Sequence, residues 1–257
     1  NDSGTLAFTA LYRNTAGGLA DDRAILLSDG IDTVQAIREG DALAGSTVTE
    51  LSFDVSGGPN GNGLNNAGQV AYRAFLANGD VGIFTFTPEL HWRSSFSSSW
   101  DSKASSFTNP GGLNNWTLSL TPGAVHDTFI DPDTSVTVFG PSTDQTVKSL
   151  TIGGGNGIAT LDLGSGVVTA LEGTQIASTG RLTGDGVIEG GVTNFGEVVA
   201  DNVTITGGSL VNNGIVSGRS SINNRINGVL QNQASGEVIA SNGESIRFTS
   251  SGNTNAG

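Results

Sequence analysis

Cysteine and methionine are absent from this chain of 257 residues, and lysine occurs only twice, at Lys103 and Lys148. Without cysteine the chain has no disulfides, no thiolate metal site and no cysteine nucleophile. No run of about 18 apolar residues occurs, so the sequence predicts no membrane insertion. Charged residues make up 14% of the chain and the net charge is −13 at pH 7. Such a balance disfavours nucleic acid and anionic lipid as partners, because no basic surface exists to neutralise phosphates.

Motifs that carry catalysis are also missing. Neither a glycine-rich nucleotide-binding loop nor a G-x-S-x-G nucleophile elbow is present, although glycine occurs 39 times. The only histidines, His91 and His126, do not form an H-E-x-x-H pattern, and we expect structural roles for both. The sequence therefore predicts no catalytic residue, no bound cofactor and no enzymatic activity.

Short stretches of alternating apolar and polar residues, separated by Asn-Gly, Asp-Gly and Gly-Gly pairs, fill most of the chain. Alternation with period two is typical of strands, and Asn-Gly supplies the positive φ angles of tight turns. The pattern predicts an all-β protein. A change of composition near residue 90 predicts a first β domain over 1–88, a connector rich in tryptophan and serine over 89–124, and a repetitive segment over 125–257.

The first segment contains an internal repeat 64 residues apart. Asn1-x-x-Gly4-x-x-Ala7-Phe8 returns as Asn65-x-x-Gly68-x-x-Ala71-Tyr72. An Asn–Gly turn followed by a strand with one buried face explains both copies. The motif closely resembles the NxxGxxAF tandem repeat of large secreted bacterial proteins, with tyrosine at the second copy. The repeat predicts a β-meander or partial propeller-like blades.

The third segment repeats at intervals of about 18 to 22 residues, as in Asn194–Val198, Asn212–Val216 and Ala234–Val238. A coil of about 20 residues with short strands and glycine or asparagine corners is one turn of a parallel β-helix, or β-solenoid. Apolar pairs spaced by two are predicted to point inward: Val136/Val138, Leu150/Ile152, Leu161/Leu163, Val203/Ile205 and Ile246/Phe248. Asparagines at corners, Asn194 and Asn212, are candidates for a hydrogen-bonded ladder along the axis.

The opening of this segment carries a resemblance of its own. Trp92, Ser99-Trp100, Asn115-Trp116, Pro122-Gly123 and Ser149-Leu150-Thr151-Ile152-Gly153 are similar to the start of β-helical passenger segments in autotransporter-like and PEP-CTERM bacterial surface proteins. This resemblance implies a secreted, extracellular or cell-surface location. It concerns architecture and implies no particular activity.

Two groups of residues are candidates for binding. Asp127, Asp131 and Asp133 are candidate Ca²⁺ ligands, since Ca²⁺ takes several oxygen ligands. An Asp-Pro-Asp turn between strands, or paired carboxylates for glycoside cleavage, would also explain them. Trp92, Trp100 and Trp116 are candidates for a platform that stacks on sugar rings, or for a hydrophobic cap on the first turn of the solenoid.

Three functions remain open on these grounds. The chosen hypothesis is a non-catalytic structural or adhesive protein of a bacterial surface, matrix or filament, which self-associates end to end through the open ends of its solenoid. A carbohydrate-binding module with an extracellular polysaccharide as its partner is the alternative. A polysaccharide lyase or hydrolase is a third hypothesis that rests on fold analogy alone.

Overall fold

The computed structural model describes residues 1–18, 21–53, 63–101, 114–218, 224–240 and 245–256. Contacts divide the chain into two compact units, Asn1–Pro88 with Thr117–Leu120, and Glu89–Trp116 with Thr121–Gly257. Most of the predicted connector, 89–124, groups with the second unit. In the part of the chain that the structure describes, no helix is long and apolar enough to cross a membrane. Lys103 lies outside the described residues.

The first unit consists of antiparallel sheets. Its strands are β1 Leu6–Leu11, β2 Arg23–Ser28, β3 Thr33–Arg38, β4 Ala42–Leu43, β5 Ser46–Ser52, β6 Val70–Leu76 and β7 Val81–Phe86. One sheet has the order β1-β2-β3 and the other β4-β5-β6-β7. A short 3₁₀ turn, Thr117–Ser119, belongs to the same unit. Its Leu118 carbonyl oxygen accepts a hydrogen bond from the buried Thr5 hydroxyl at 2.9 Å.

Both copies of the N-terminal repeat form the predicted turn. The Oδ1 atoms of Asn1 and Asn65 each accept the backbone N–H four residues ahead at 2.9 Å. Gly4 and Gly68 have φ values of 82° and 73°, which glycine adopts without strain. The buried face that we predicted for the following strand forms only in the second copy. Val70 is fully buried, whereas its counterpart Leu6 is 66% exposed, because nothing among the described residues covers that side of β1.

The strands of the second unit run parallel to their neighbours in adjacent turns. They are β8 Leu90–His91, β9 Ser98–Ser99, β10 Asp127–Ile130, β11 Val136–Phe139, β12 Gln145–Val147, β13 Ser149–Ile152, β14 Ala159–Asp162, β15 Val167–Ala170, β16 Thr174–Ile176, β17 Gly180–Thr183, β18 Val187–Glu189, β19 Val192–Asn194, β20 Glu197–Ala200, β21 Val203–Asn212, β22 Ile215–Gly218, β23 Arg225–Asn232, β24 Glu237–Ile239, β25 Arg247–Phe248 and β26 Thr254–Asn255. Each early turn contributes three strands, as β10, β11 and β12 do, and the next turn, β13 to β15, pairs with them one for one.

The pairing creates three parallel ladders, and the fold is therefore a β-solenoid preceded by antiparallel sheets, as the sequence predicts. Strands β8, β10, β13, β16 and β19 follow one another in the first ladder, and β9, β11, β14, β17 and β20 in the second. The longer strands β21 and β23 contribute to both the first and the third ladder. Turn length varies, since the paired asparagines 194, 212, 232 and 255 are 18, 20 and 23 residues apart.

The solenoid core consists of columns of inward-facing side chains at equivalent positions of successive turns. Four of the five predicted inward pairs are buried, from Val136/Val138 to Val203/Ile205. The fifth pair, Ile246/Phe248, is only half-buried. In the second ladder, Val138, Leu161 and Leu182 stack in register with no exposed surface. Burial of each such apolar side chain stabilises the folded state by roughly 1.5–3 kcal/mol, and the columns hold successive turns in register.

Glycines occupy corners where neighbouring turns approach closely. Gly153 follows β13 with φ of 89°, and a Cβ atom there would overlap the backbone nitrogen of Gly180 in the next turn. The adjacent Gly154 has φ of 102° but open space where a Cβ would be. Glycine is therefore required at residue 153 both by the positive φ and by the close approach of the next turn. At residue 154 only the positive φ requires it.

Candidate functional site

Three tryptophans form a buried cluster at the first turn of the solenoid. Trp92 and Trp116 make an edge-to-face contact with ring centroids 5.2 Å apart, and the rings of Trp100 and Trp116 are 4.7 Å apart. Trp92 is 3% exposed, and the other two are fully buried. The indole N–H of Trp116 donates to the carbonyl oxygen of Trp100 at 3.1 Å. Aromatic pairs in these geometries contribute about 0.5–1.5 kcal/mol beyond the burial of their surface.

The backbone places these side chains over the first turn. Strands β8 and β9 extend the first two ladders, so that the Trp92 N–H donates to Phe129 O and the Trp100 N–H to Phe139 O, both at 2.8 Å. The three side chains are buried beside the first turn, and their role as a hydrophobic cap stays a prediction. The arrangement does not provide an exposed sugar platform, because the ring faces of Trp92, Trp100 and Trp116 are buried against one another.

Asp127 is held by residues of the next turn. Its Oδ2 accepts from Lys148 Nζ at 2.7 Å, and its Oδ1 accepts from the Ser149 hydroxyl at 2.5 Å. Burial alone would raise the pKa of Asp127, but the hydrogen bonds from Lys148 and Ser149 and the lysine charge together lower it. The hydrogen bond to Asp127 raises the pKa of Lys148. The pair is partly exposed, and it links β10 to the segment before β13.

Asp131 pairs with a histidine from the preceding partial turn. His91 Nδ1 lies 2.9 Å from Asp131 Oδ2, and the imidazole stacks on the Phe129 ring with centroids 4.7 Å apart. The hydrogen bond with Asp131 raises the pKa of His91, outweighing the opposite effect of burial, and Glu89, 3.7 Å from Nε2, adds to it. His91, Arg93, Asp131 and Asp133 line a hollow of about 350 Å³. The other histidine, His126, is buried and its Nδ1 accepts the Gly123 N–H at 2.9 Å.

Asp133 contacts a third partner, Asn156, whose Nδ2 donates to its Oδ1 at 3.0 Å. Asp127, Asp131 and Asp133 are thus each directed to a different residue of a neighbouring turn. Within the described residues, no group of three or more His, Cys, Asp or Glu side chains is arranged to hold a metal ion. The structure does not bring the three candidate Ca²⁺ ligands together, and Ca²⁺ binding by them stays a prediction.

The asparagine ladder that we predicted at Asn194 and Asn212 is present and longer than expected. Each Nδ2 donates to the Oδ1 of the asparagine one turn further on: Asn194 to Asn212 at 2.7 Å, Asn212 to Asn232 at 2.6 Å and Asn232 to Asn255 at 2.8 Å. The second hydrogen of three amides goes to a carbonyl oxygen, that of Ile215, Glu237 or Gly236. Asn194, Asn212 and Asn232 are buried, and buried polar groups in folded proteins are hydrogen-bonded. The ladder therefore supplies the hydrogen bonds that these side chains need in the folded state.

Sequence reasoning missed Asn232 because its spacing to the next glycine differs from that of the two predicted asparagines. Asn194 and Asn212 both stand two residues before a glycine, whereas Asn232 stands four residues before Gly236. The two extra residues between Asn232 and Gly236 shift this turn out of alignment with the other two when the turns are aligned on their glycines. Aligning the turns on buried strand residues instead of on the glycine would have found Asn232.

A shallow groove of about 770 Å³ on the outer side of the first ladder was also not predicted. Its polar lining residues include Thr151, Gln175 and Thr193, and its lining also includes Leu171 and Phe195, which are 62% and 49% exposed. Gly173, Gly190 and Gly191 also line the groove and place no side chain in it. Hydroxyl and amide groups beside an exposed phenyl ring are the combination that neutral sugars contact.

Comparison with known proteins gives a match over the N-terminal part of the chain. Residues 1–89 match the model of a family of unknown function, DUF7453. No curated protein and no solved structure matches the chain. The first repeat-containing segment is therefore similar to a described family whose function is itself not known, and the solenoid has no counterpart among the matches.

Proposed function

We propose that this chain is a non-catalytic structural or adhesive protein of a bacterial surface, matrix or filament, which self-associates. The observation that carries the proposal is the asparagine ladder, Asn194 to Asn255, continuing a buried column that runs in register from turn to turn. A scaffold in which every turn is bonded to the next along three ladders suits a protein whose task is to span distance or present a surface.

Several features of the chain support an extracellular place for it. The absence of cysteine and methionine removes the side chains that oxidants attack first. The net charge of −13 favours solubility and disfavours binding to nucleic acid. The resemblance of the solenoid opening to bacterial β-helical surface proteins points to the same location.

Electron microscopy of the purified chain at near-neutral pH, with and without millimolar Ca²⁺, tests the proposal. We expect rods or regular filaments with a fixed axial repeat. The Ca²⁺ comparison shows whether Asp127, Asp131 and Asp133 matter to assembly, and Asp133→Asn is the matched variant. Discrete single chains in both conditions would contradict the proposal that the protein self-associates.

The groove on the first ladder favours a second candidate, a carbohydrate-binding module. Phe195 is half-exposed and lines the same groove as Thr151 and Thr193, so a sugar ring could stack on the phenyl face while its hydroxyls bond to polar side chains of the groove. A glycan screen followed by titration of Phe195→Ala tests this function. Phe96→Ala is the control, because Phe96 is 78% exposed outside the groove. Equal binding by both variants would count against the groove.

A further inference from the structure

A hollow of about 350 Å³ lies between the second and third ladders of the solenoid. Residues 139–144 and 162–166 line it, and we call it the Phe139 hollow. The two ranges are the corners that follow β11 and β14 in successive turns. The Gly140 N–H donates to Asp162 O at 2.6 Å, and a Cβ atom at residue 140 would overlap the carbonyl oxygen of Leu163. Backbone contacts therefore define both walls, and the volume lies at the lower end of the range for small-ligand sites, about 300–1,000 Å³.

Phe139 supplies an aromatic side chain to this hollow. Burial alternates along β11, and Phe139 lies on its outward side with 48% of its surface exposed. The face of a phenyl ring is apolar and carries the negative part of the ring quadrupole, so it attracts C–H groups and cations. The lining also includes the exposed side chains of Ser142, Thr143 and Ser165. The hollow thus combines a surface for stacking with hydroxyl groups for hydrogen bonds.

Two carboxylates line the same hollow. Asp162 stands beside Phe139 in the neighbouring turn, because the two residues pair in register and both lie on the outward side of their strands. Asp162 Oδ1 accepts the Gly164 N–H at 3.1 Å, which orients the carboxylate. Asp144 lines the other corner and is exposed. Among the described residues, neither carboxylate has an ion-pair partner, and no lysine or arginine lines the hollow.

The charge of the lining decides which class of sugar fits. An anionic sugar would be repelled, because its carboxylate would lie close to Asp144 and Asp162 with no cation between them. A neutral sugar would stack on Phe139 and leave both carboxylates without a charged partner. A pyranose ring that carries an ammonium group meets both requirements, since its C–H face packs on the phenyl ring and its ammonium donates to a carboxylate.

We infer that the Phe139 hollow binds an amino sugar with a free ammonium group, as one unit of a deacetylated polysaccharide. The pyranose ring stacks on Phe139, and its ammonium pairs with Asp162 and Asp144. This inference rests on the proposed adhesive role and gives that role a class of ligand. The hollow is separate from the groove that contains Phe195, because that groove lies on the first ladder.

Isothermal titration calorimetry with two oligosaccharides of equal length tests the inference. A glucosamine oligomer carries ammonium groups in mildly acidic buffer, and a cello-oligosaccharide has hydroxyl groups in their place on the same backbone. We expect the full chain to bind the glucosamine oligomer about tenfold more tightly or better, because only the ammonium pairs with the carboxylates. Asp162→Asn should remove most of this difference, since asparagine keeps an oxygen for the Gly164 N–H and loses the charge. Phe139→Ala should also weaken binding of the glucosamine oligomer.

A chain with a net charge of −13 attracts polycations in general, so the variants need matched controls. Glu237→Gln removes one exposed negative charge on β24, and Phe96→Ala removes an exposed phenyl ring, both outside the hollow. Both controls should bind the glucosamine oligomer like wild type. Equal losses of affinity in Glu237→Gln and Asp162→Asn, or equal affinity of wild type for the two oligosaccharides, would overturn the inference.

The failure of this inference and the failure of the structural role give different results. A chain that forms rods or filaments and binds no glucosamine oligomer would overturn the inference and leave the structural role intact. Single chains that bind the oligomer, with affinity lost in Phe139→Ala and Asp162→Asn, would support the inference and count against self-association.

Discussion

Ile176 and Asn194 occupy the same position in adjacent turns, and at this step one buried column of the solenoid changes from isoleucine to asparagine. The column runs through Ile130, Ile152, Ile176, Asn194, Asn212, Asn232 and Asn255. Early turns are therefore joined at this position by apolar packing and later turns by directed hydrogen bonds. A ladder of amides tolerates a smaller shift between neighbouring turns than a column of aliphatic side chains does, because each N–H donor has to lie close to one acceptor oxygen.

Asn212→Ala should destabilise the solenoid strongly. The change removes the acceptor of Asn194 Nδ2 and the donor to Asn232 Oδ1, and a buried polar group left without its partner costs roughly 1–3 kcal/mol. The free energy of unfolding from urea titration measures the effect. Asn255→Ala, at the exposed end of the ladder, is the control and should cost much less. Equal losses for both variants would show that burial of the ladder contributes nothing.

Leu161→Asp should prevent the solenoid from folding. Leu161 is fully buried between Val138 and Leu182, and an unpaired carboxylate there would be desolvated without compensation. The adjacent Thr160 points outward and pairs in register with Arg181, so Thr160→Asp should be tolerated. Far-ultraviolet circular dichroism distinguishes the two variants. A folded Leu161→Asp chain would mean that the column is not part of the core.

The His91–Asp131 pair should make stability depend on pH. The hydrogen bond with Asp131 raises the pKa of folded His91, so the pair stabilises the chain fully below the ordinary histidine value. That contribution is lost as pH rises through the raised value. We therefore expect the urea midpoint to fall between about pH 6 and pH 8, and Asp131→Asn to reduce this fall.

Two further measurements sharpen this test. The pKa of His91, followed by nuclear magnetic resonance, should be lower in Asp131→Asn than in wild type. Asp133→Asn is the matched control, since Asp133 bonds to Asn156 and should leave the titration of His91 nearly unchanged. An unaltered His91 pKa in the Asp131→Asn variant would exclude the hydrogen bond with Asp131 as the cause of the raised pKa.

Gly153→Ala should destabilise the chain more than Gly154→Ala. Both positions have positive φ, which costs a residue with a Cβ roughly 1–2 kcal/mol. Only at Gly153 would the new methyl group also overlap the backbone of the neighbouring turn at Gly180. Thermal unfolding midpoints compare the two variants directly. A larger loss at Gly154 would contradict the close approach of the turns.

Much of the fold could be predicted because it depends on local pattern. Alternating pairs such as Leu150/Ile152 and corners marked by glycine determine where a strand begins, which side faces inward and where the chain bends. The Thr33–Gly40 stretch fits a short helix about as well as a strand, and the structure forms strand β3 because β2 pairs with it. Alternation thus predicts strands well when a partner strand is available.

The pairing of distant residues could not be predicted, because it depends on how many residues each turn contains. His91 and Asp131 are 40 residues apart, and they meet only when β8 pairs with β10. Exposure was not predictable either. Leu6 and Val70 stand in the same motif, and only the packing of a neighbouring sheet makes one exposed and the other buried.

All three tryptophans of the chain lie in the cluster at the first turn, so their fluorescence reports on that end of the solenoid alone. Circular dichroism, in contrast, averages over every strand. Solenoids can lose terminal turns separately, since each turn contacts only its neighbours. If the turns around Asn232 open first, the two spectroscopic signals will separate, and their difference will show from which end the rod unravels.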